Sequence, residues 1–262
     1  MFRIITLSTL LFLITSCEMA KTYSDKELEN ILKERYNDKF NVLSNDFVLN
    51  LGYHQFTAEL ANNKAIVIHG TYKQKGEEIS DNFPQMLHTY QCSNLIKAKL
   101  NNYYPTFKFK NSTSFNYKEI NHNPIPPLEE IVMNESVSGS VDLILYLFET
   151  AKEENKKEVL EGVSAIVKEF TRWKNKSFHI SVKFWEDGHF KGKDLDNINF
   201  GFNVYKEEYY DSIPVENEYI QQVLYFEFDT KDSIPNISTD DLYESIYPFE
   251  NGKGFKQKLV KF

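Results

Sequence analysis

The sequence predicts an α+β protein in which antiparallel sheets are packed by helices, arranged as two α+β units of similar size. Segments with apolar residues at helical spacing alternate with segments in which every second residue is apolar. The chain carries 21 phenylalanines and 16 tyrosines, a supply typical of β-rich cores. Proline fills three of the four positions 124–127, which interrupts helix and inner strand alike. We therefore expect a linker or seam at 121–137 between units at 24–120 and 138–262.

The first unit should begin with a helix. Ser24 and Glu27 have the spacing of a capping box, and apolar residues follow at helical intervals as far as Asn37-Asp38, where the helix should end. This helix closes with Lys33-Glu34-Arg35-Tyr36, is followed by Phe40-Asn41-Val42 and then by alternating segments. In that order of elements the first half resembles small secreted PepSY-like modules, a resemblance from which no function follows.

Two alternating runs predict a β-hairpin. The runs cover 54–60 and 65–71, and Asn62-Asn63 between them can adopt the positive φ that a two-residue turn requires. Pairing Ala61 with Lys64 sets Ala58 opposite Val67 and Phe56 opposite His69. In this register His54 and His69 share one face as diagonal neighbours.

The remaining elements follow from the same patterns. In the first unit they are a helix from Ser80-Asp81-Asn82 to Leu100 and a strand within 103–117. The second unit begins with an apolar run at 141–148, which periodicity leaves open between helix and strand, and continues with a helix over 159–170. Strands over 178–185, 200–205 and 223–228 follow, with a turn at Asp187-Gly188, and then a short helix from Thr239 and a closing edge strand over 255–262.

The N-terminus has the features of a secretory leader. Residues 1–16 combine a short basic start with an apolar run too short to span a bilayer. Ile14-Thr15-Ser16-Cys17 then resembles the lipobox of bacterial lipoproteins. The resemblance implies cleavage before Cys17, diacylglycerol on its thiol and frequently an acylated amine, with 17–23 as a tether. Two or three acyl chains anchor a protein stably, and Glu18 in place of Asp favours the outer membrane, on its periplasmic or surface face.

Charge and cysteine content narrow the classes of function. The net charge is −8, and loss of the leader with Arg3 makes it −9, which excludes the basic surface that a nucleic-acid phosphate backbone demands. An acidic body on a tether instead suits a basic protein partner. Lipidation of Cys17 would leave Cys92 without a disulfide partner. We interpret Cys92 as a buried apolar residue of the second helix and not as a nucleophile.

Candidate site residues are few. His54, His69 and His88 could approach one metal ion if the hairpin register holds. Core or edge histidines that are hydrogen-bonded to neighbours are the favoured alternative, because a zinc site normally has three or four protein ligands and the other members of this face are Phe56, Ala58 and Val67. Four aromatic residues of the second unit could line a carbohydrate or peptide groove, and Trp185 is expected to be exposed because it lies opposite the apolar face of its strand. The four are Trp185, Tyr205, Tyr209 and Tyr210.

Two hypotheses of function remain. The sequence holds no nucleophile elbow, phosphate loop or zinc-binding helix motif. The favoured hypothesis is a membrane-anchored extracytoplasmic lipoprotein that binds a protein of the envelope or a secreted protein, as an immunity, inhibitor or assembly factor, without a cofactor. The alternative is an extracytoplasmic hydrolase whose carboxylate or histidine residues are dispersed along the chain.

Overall fold

The computed structural model describes residues 22–117, 124–185, 220–231, 236–248 and 260–261. Cys17, Tyr205, Tyr209 and Tyr210 lie outside the described residues, as do the predicted turn at 187–188 and strand at 200–205. The α+β class is confirmed, because two sheets are packed by helices. No helix in the described part is both long and apolar enough to cross a bilayer.

The chain divides into two compact units. The described residues of the first unit are 22–90 and 124–127, and those of the second are 91–117 together with all those from 128 onwards. The division therefore differs from the boundaries expected from the prolines. Residues 91–117 belong with the second unit, and the proline segment belongs with the first.

The first unit is a helix followed by an antiparallel meander. Its elements are α1 (Asp25–Tyr36), β1 (Phe40–Val48), β2 (Tyr53–Leu60), β3 (Asn63–Tyr72), β4 (Ser80–Asp81) and the beginning of α2 (Phe83–Leu100). The four strands form one sheet in the order β1-β2-β3-β4. The predicted ends of α1 are confirmed, because Ser24 and Glu27 form both bonds of a capping box and Asn37 closes the helix in the left-handed conformation at φ 56°.

The hairpin exists, but its predicted register is wrong by one residue. The turn lies at Ala61-Asn62, and an irregularity between Glu59 and Leu60 shifts the pairing, so that Ala58 faces Ile68 and not Val67. Because side chains alternate between the faces of a strand, a slip of one residue exchanges the faces of β3. Its buried residues are accordingly Ile66, Ile68, Gly70 and Tyr72.

A buried carboxylate joins three elements of the first unit. The Asp81 side chain is fully buried and accepts hydrogen bonds from Arg35 Nη1 at 2.6 Å, the Tyr36 hydroxyl at 2.7 Å and the Phe83 amide at 3.0 Å. Arg35 and Tyr36 belong to the last turn of α1, whereas Phe83 is the first residue of α2. Asp81 thus caps α2 and holds α1 against the sheet. Burial, together with the adjacent carboxylate, raises the pKa of Tyr36.

The second unit is a mixed sheet with helices. Beyond α2 its elements are β5 (Phe107–Phe115), α3 (Leu128–Met133), β6 (Gly139–Leu147), α4 (Lys156–Phe170), β7 (Lys176–Trp185), β8 (Ile220–Asp229), α5 (Thr239–Glu244), β9 (Tyr247–Pro248) and β10 (Val260–Lys261). The strand order is β10-β8-β7-β6-β5, with β9 also paired to β8. The undecided apolar run is thus strand β6, which lies between β5 and β7 in the sheet. It runs parallel to β7 because α4 connects the two as a crossover.

The described helices α2 and α4 pack on the same face of this sheet. Phe170 of α4 stacks on Phe178 of β7 with ring centroids 4.7 Å apart, and Ser93 of α2 donates to Asn111 of β5 at 2.6 Å. Alternation places Asn111 and Phe178 on the same face as the buried Leu143. The opposite face of the sheet carries the side chains of the alternate residues of every strand.

Candidate binding surfaces

The three histidines suggested as metal ligands are separated by the fold. His54 is buried on the core face of β2, with its ring parallel to that of Tyr72 at a centroid distance of 4.7 Å. His69 lies on the other face of the sheet, where its Nδ1 is 3.3 Å from Thr57 Oγ1. His88 is buried in α2, and its Nε2 donates to the Pro126 carbonyl at 2.8 Å.

The shared-face prediction for His54 and His69 is therefore wrong, and the cause is the register slip described above. Within the described ranges, no three His, Cys, Asp or Glu side chains gather as metal ligands. Burial lowers the pKa of His88, and the imidazole serves as a hydrogen-bond donor that fixes the proline segment to α2. His54 and His88 are buried in the first unit, and His69 lies on the other face of its sheet.

The expected exposure of Trp185 is also wrong. Its side chain is 1% exposed and packs in a small cluster with Tyr146, Ile220 and Val223. Trp185 lies opposite the main core of the sheet, as alternation predicted, but this cluster covers it there. Cys92 is fully buried in α2, and burial raises the pKa of its thiol to about 12, which agrees with an apolar role.

The first surface lies at the tip of the hairpin formed by β1 and β2. Three large apolar side chains at this tip are exposed, and we refer to them as the apolar tip: Phe47 at 45%, Leu49 at 83% and Leu51 at 57%. Soluble domains rarely gather such residues without a binding function. The turn is shaped by its own backbone, because the amides of Leu51 and Gly52 both donate to the Val48 carbonyl and Gly52 adopts φ 69°.

An aromatic row supports the apolar tip from the core side. The rings of Phe47, His54 and Tyr72 lie side by side across β1, β2 and β3, with centroid distances of 4.9 and 4.7 Å. The edge of Tyr23 packs against Tyr72 at 5.0 Å. Asn45 completes the arrangement, because it donates to the Tyr23 carbonyl at 2.7 Å and accepts from the Tyr72 hydroxyl at 2.8 Å. The first described residues are therefore fastened to the sheet beside the tip.

The second surface is the sheet face of the second unit that α2 and α4 leave open. Strand register sets Ser112, Asp142, His179 and Glu227 in one row across β5, β6, β7 and β8. Asp142 Oδ1 lies 3.0 Å from His179 Nδ1, and their side chains are 56% and 38% exposed. We refer to this line as the polar row.

Two further rows continue the same face. The second contains Lys110, Ile144, Ser181 and Tyr225, and the third contains Lys108, Tyr146, Lys183 and Val223. Burial raises the pKa of Tyr225, and the negative charges of Glu227 and Asp142 add to this shift. Burial, followed by the charge of Lys110, lowers the pKa of Lys183 to about 8. The face thus changes from an exposed acidic row to a buried row of basic and aromatic character.

Sequence reasoning overlooked both surfaces. The apolar tip had a detectable pattern, because Asp46 is the only Asp, Glu, Lys or Arg between residues 40 and 58 and two leucines flank Asn50 in a glycine-containing turn. The polar row had none, because its members come from four strands separated by up to 115 positions in the chain.

Comparison with known proteins adds little to this geometry. No protein-family model matches the chain, and no curated protein matches it. Among solved structures the chain is similar to a DUF5037 family protein from Ruminococcus gnavus ATCC 29149, with a TM-score of 0.47 and 15% sequence identity over 84% of this chain and 98% of the other. A similarity this distant carries no argument about function, which must come from the residues themselves.

Proposed function

We propose that the chain is a membrane-anchored extracytoplasmic lipoprotein that acts by binding a protein partner at the cell envelope and not by catalysis. The exposed polar row of the second unit carries the binding part of this proposal. The lipobox-like Ile14-Thr15-Ser16-Cys17 supports the anchoring part. We place the protein on the outer membrane, because Glu18 and not Asp follows the cysteine.

The form of the polar row suits recognition of a protein. Among the described residues, α2 and α4 leave this sheet face uncovered, and it presents side chains from four strands on a rigid support, which reduces the entropy lost on binding. Asp142 and Glu227 lie on either side of His179 in the row, so that acidic groups dominate its exposed part. Hydroxyl groups of Ser112 and Ser181 add hydrogen-bonding capacity beside them. A partner that offers Lys, Arg or backbone amide donors complements this surface.

The buried functional groups of the described residues support binding over catalysis. The Cys92 thiol is sealed in the core, the Asp81 carboxylate caps a helix, and the His88 imidazole holds a carbonyl. Lys176 is equally committed, since its ammonium group donates to the carbonyls of Asn134, Val137 and Lys174. Each of these groups has a structural task that fully accounts for its position.

Affinity capture tests the binding proposal. The lipoprotein, purified in detergent, is immobilised and exposed to envelope extract beside a double variant, Asp142→Lys with Glu227→Lys. The matched control is Glu154→Lys, which reverses an exposed acid on a turn away from the row. We expect a protein partner that the parent and the control retain and the double variant loses by about tenfold or more, because reversed rim charges repel a complementary partner.

Two results would contradict the proposal. Failure of the parent to retain any protein above background would oppose binding itself. Equal retention by the parent and the double variant, with circular dichroism showing both folded, would remove the polar row as the binding surface.

A second candidate function rests on one observation, the contact between Asp142 and His179. A carboxylate that holds imidazole Nδ1 leaves Nε2 available as a general base, as in hydrolases. The geometry supplies this pair at 3.0 Å on an exposed face. The test is hydrolysis of aryl esters by the parent and by His179→Ala. Activity that the alanine variant abolishes would favour a hydrolase, whereas equal background rates would leave binding as the function.

A further inference from the structure

The apolar tip contributes little to the core of its own unit. Leu49 and Leu51 point outwards from a turn that backbone hydrogen bonds already define, and neither belongs to the core cluster. Phe47 covers the outer side of His54, yet almost half of its side chain remains exposed. A folded chain gains nothing from three large apolar side chains in water. They therefore indicate a contact that the isolated domain lacks.

The charge pattern of the hairpin indicates an apolar occupant. Charged residues make up 26% of the chain, but between residues 40 and 58 only Asp46 is charged. Transfer of a charge into a low-dielectric medium is costly, whereas asparagine, serine and glutamine tolerate a hydrated boundary. The uncharged polar residues of this segment are Asn41, Ser44, Asn45, Asn50, His54, Gln55 and Thr57. A hairpin of this composition suits the boundary between headgroups and acyl chains.

The position of the tip relative to the tether identifies which surface it meets. Tyr23 is hydrogen-bonded to Asn45, and Tyr23 Oη accepts from the Gly76 amide at 2.7 Å, so the tether joins the first unit at the tip end of its sheet. Six residue steps separate Tyr23 from Cys17, which is at most about 20 Å of extended chain. From Asn45 the strand continues for four residues to Leu49, about 13 Å. A lipid on Cys17 thus holds the tip within reach of the bilayer that carries it.

We propose that the apolar tip lies in the interfacial layer of the membrane to which Cys17 is attached, so that the lipid and the hairpin together set the orientation of the first unit on the bilayer. This inference rests on the anchoring proposed above. Its shallow contact, about 5–10 Å into the headgroup region as for other interfacial segments, requires no spanning element. Leu49 and Leu51 enter deepest, and Phe47 lies at the boundary.

The structure disfavours a second copy of the chain as the occupant. β1 is an edge strand, but its pairing with β2 is irregular between Val42 and Ser44, and such bulges deter edge-to-edge association. Leu43 is the extra residue at this irregularity. A lipid surface accepts a convex tip without a matching groove, which is the shape that a hairpin turn presents.

Site-directed fluorescence in reconstituted vesicles tests the inference. The lipidated protein carrying Leu49→Cys is labelled with an environment-sensitive dye and incorporated into phosphatidylcholine vesicles that contain nitroxide-labelled lipid. The matched control is Ala65→Cys, an exposed position at the opposite end of the same sheet. Cys92 is fully buried, so the dye labels only the new cysteine when the protein is folded. We expect a blue-shifted and quenched emission at position 49 and neither effect at position 65.

The possible outcomes separate the inference from the anchoring on which it rests. A protein that stays on vesicles while position 49 resembles position 65 retains its anchor and overturns the membrane-contacting hairpin. A protein that fails to incorporate into vesicles overturns the anchoring proposal and the inference together. Emission changes that grow with protein density in the vesicles would identify a second copy as the occupant. Emission changes that appear only when envelope proteins are added would identify a protein partner as the occupant. Either of these last two results also overturns the inference.

The same contact predicts a loss of membrane affinity that can be measured without a dye. In the variant Cys17→Ser the lipid is absent, and the hairpin alone provides contact with phosphatidylcholine vesicles. Replacing both Leu49 and Leu51 by serine should lower this residual partitioning by about a hundredfold, because each leucine removed from water contributes about tenfold. Met133→Ser, which changes an exposed apolar residue of the second unit, is the control and should leave it unchanged. Equal partitioning of all three proteins would contradict the inference.

Discussion

Replacement of Asp81 by alanine should loosen the first unit more than any change at its surface. The variant removes the acceptor shared by Arg35, Tyr36 and the Phe83 amide. Two consequences follow at once. The end of α1 loses its bond to the sheet, and the first turn of α2 loses its cap. Because the Asp81 side chain is fully buried, no water replaces the carboxylate without rearrangement.

The magnitude follows from the exposure of the partners. Removing one member of a buried ion pair typically costs about 3–5 kcal/mol, because the remaining charge is left buried without compensation. The Arg35 side chain is 31% exposed, so water recovers part of its hydration and the lower end of that range applies. A loss of about 3 kcal/mol corresponds to a change of about a hundredfold in the equilibrium for opening.

Native-state hydrogen exchange with peptide-level mass spectrometry measures this change. Both tryptophans of the chain, at 173 and 185, belong to the second unit, so that fluorescence would not report on the first. In Asp81→Ala we expect peptides of α1 and of β2 to exchange about a hundredfold faster, with peptides of β7 unchanged. Asp46→Ala, which removes an exposed acid from the same sheet, is the control. Acceleration no greater than in the control would refute the role assigned to Asp81.

Three further predictions concern the second unit and the buried thiol. Gly162→Ala should destabilise the second unit by about 1–3 kcal/mol through overpacking, because a Cβ atom there would lie 2.3 Å from the Tyr104 ring. The melting temperature followed by tryptophan fluorescence should therefore fall, and an unchanged melting temperature would contradict this packing. Stability to urea should rise between pH 8 and 10, because Lys183, whose pKa burial lowers to about 8, loses its proton in the folded protein before it does in the unfolded chain at about 10.5. Lys183→Met should flatten this rise, and an identical dependence of stability on pH in the variant would contradict the role of Lys183. Cys92 should resist alkylation at pH 8 until urea unfolds the protein, given a pKa raised to about 12 by burial; rapid labelling of the native protein would show that the thiol is accessible.

Local sequence patterns predicted α1, α2, α4 and α5, because helix ends are determined by neighbouring residues, but they did not predict α3, which lies within the segment 121–137 that was expected to be a linker or seam. The Ser24–Glu27 capping box depends on a spacing of three residues, and Asn37 ends the same helix through its own backbone conformation. The start of α2 near Asp81 was predicted for the same reason. These features need no information from the rest of the fold.

The hairpin register could not be predicted because one local irregularity decides it. Asn62-Asn63 is a favourable turn sequence, yet the chain turns at Ala61-Asn62 and the irregularity before Leu60 absorbs the difference. Either turn leaves a plausible alternating pattern. The choice depends on which face of β3 meets the core of the unit, and that is a tertiary property.

The surfaces were harder still to predict. Trp185 was placed correctly on the side of its strand opposite Phe184, but exposure on that side depends on a small cluster that includes Ile220, from a strand much later in the chain. The pairing of Asp142 with His179 likewise depends on a parallel contact between β6 and β7 that only the α4 crossover creates. Properties that depend on strand order are not contained in any local window.

Lipid attachment at Cys17 is the central claim, and subcellular fractionation with mass spectrometry tests it most directly. We predict that the parent protein is recovered from the outer-membrane fraction and that its N-terminal peptide begins at Cys17 and carries diacylglycerol. Cys17→Ser should be released from that fraction. Recovery of an unmodified peptide, or equal membrane recovery of the parent and Cys17→Ser, would contradict the anchoring and with it the contact proposed for the hairpin.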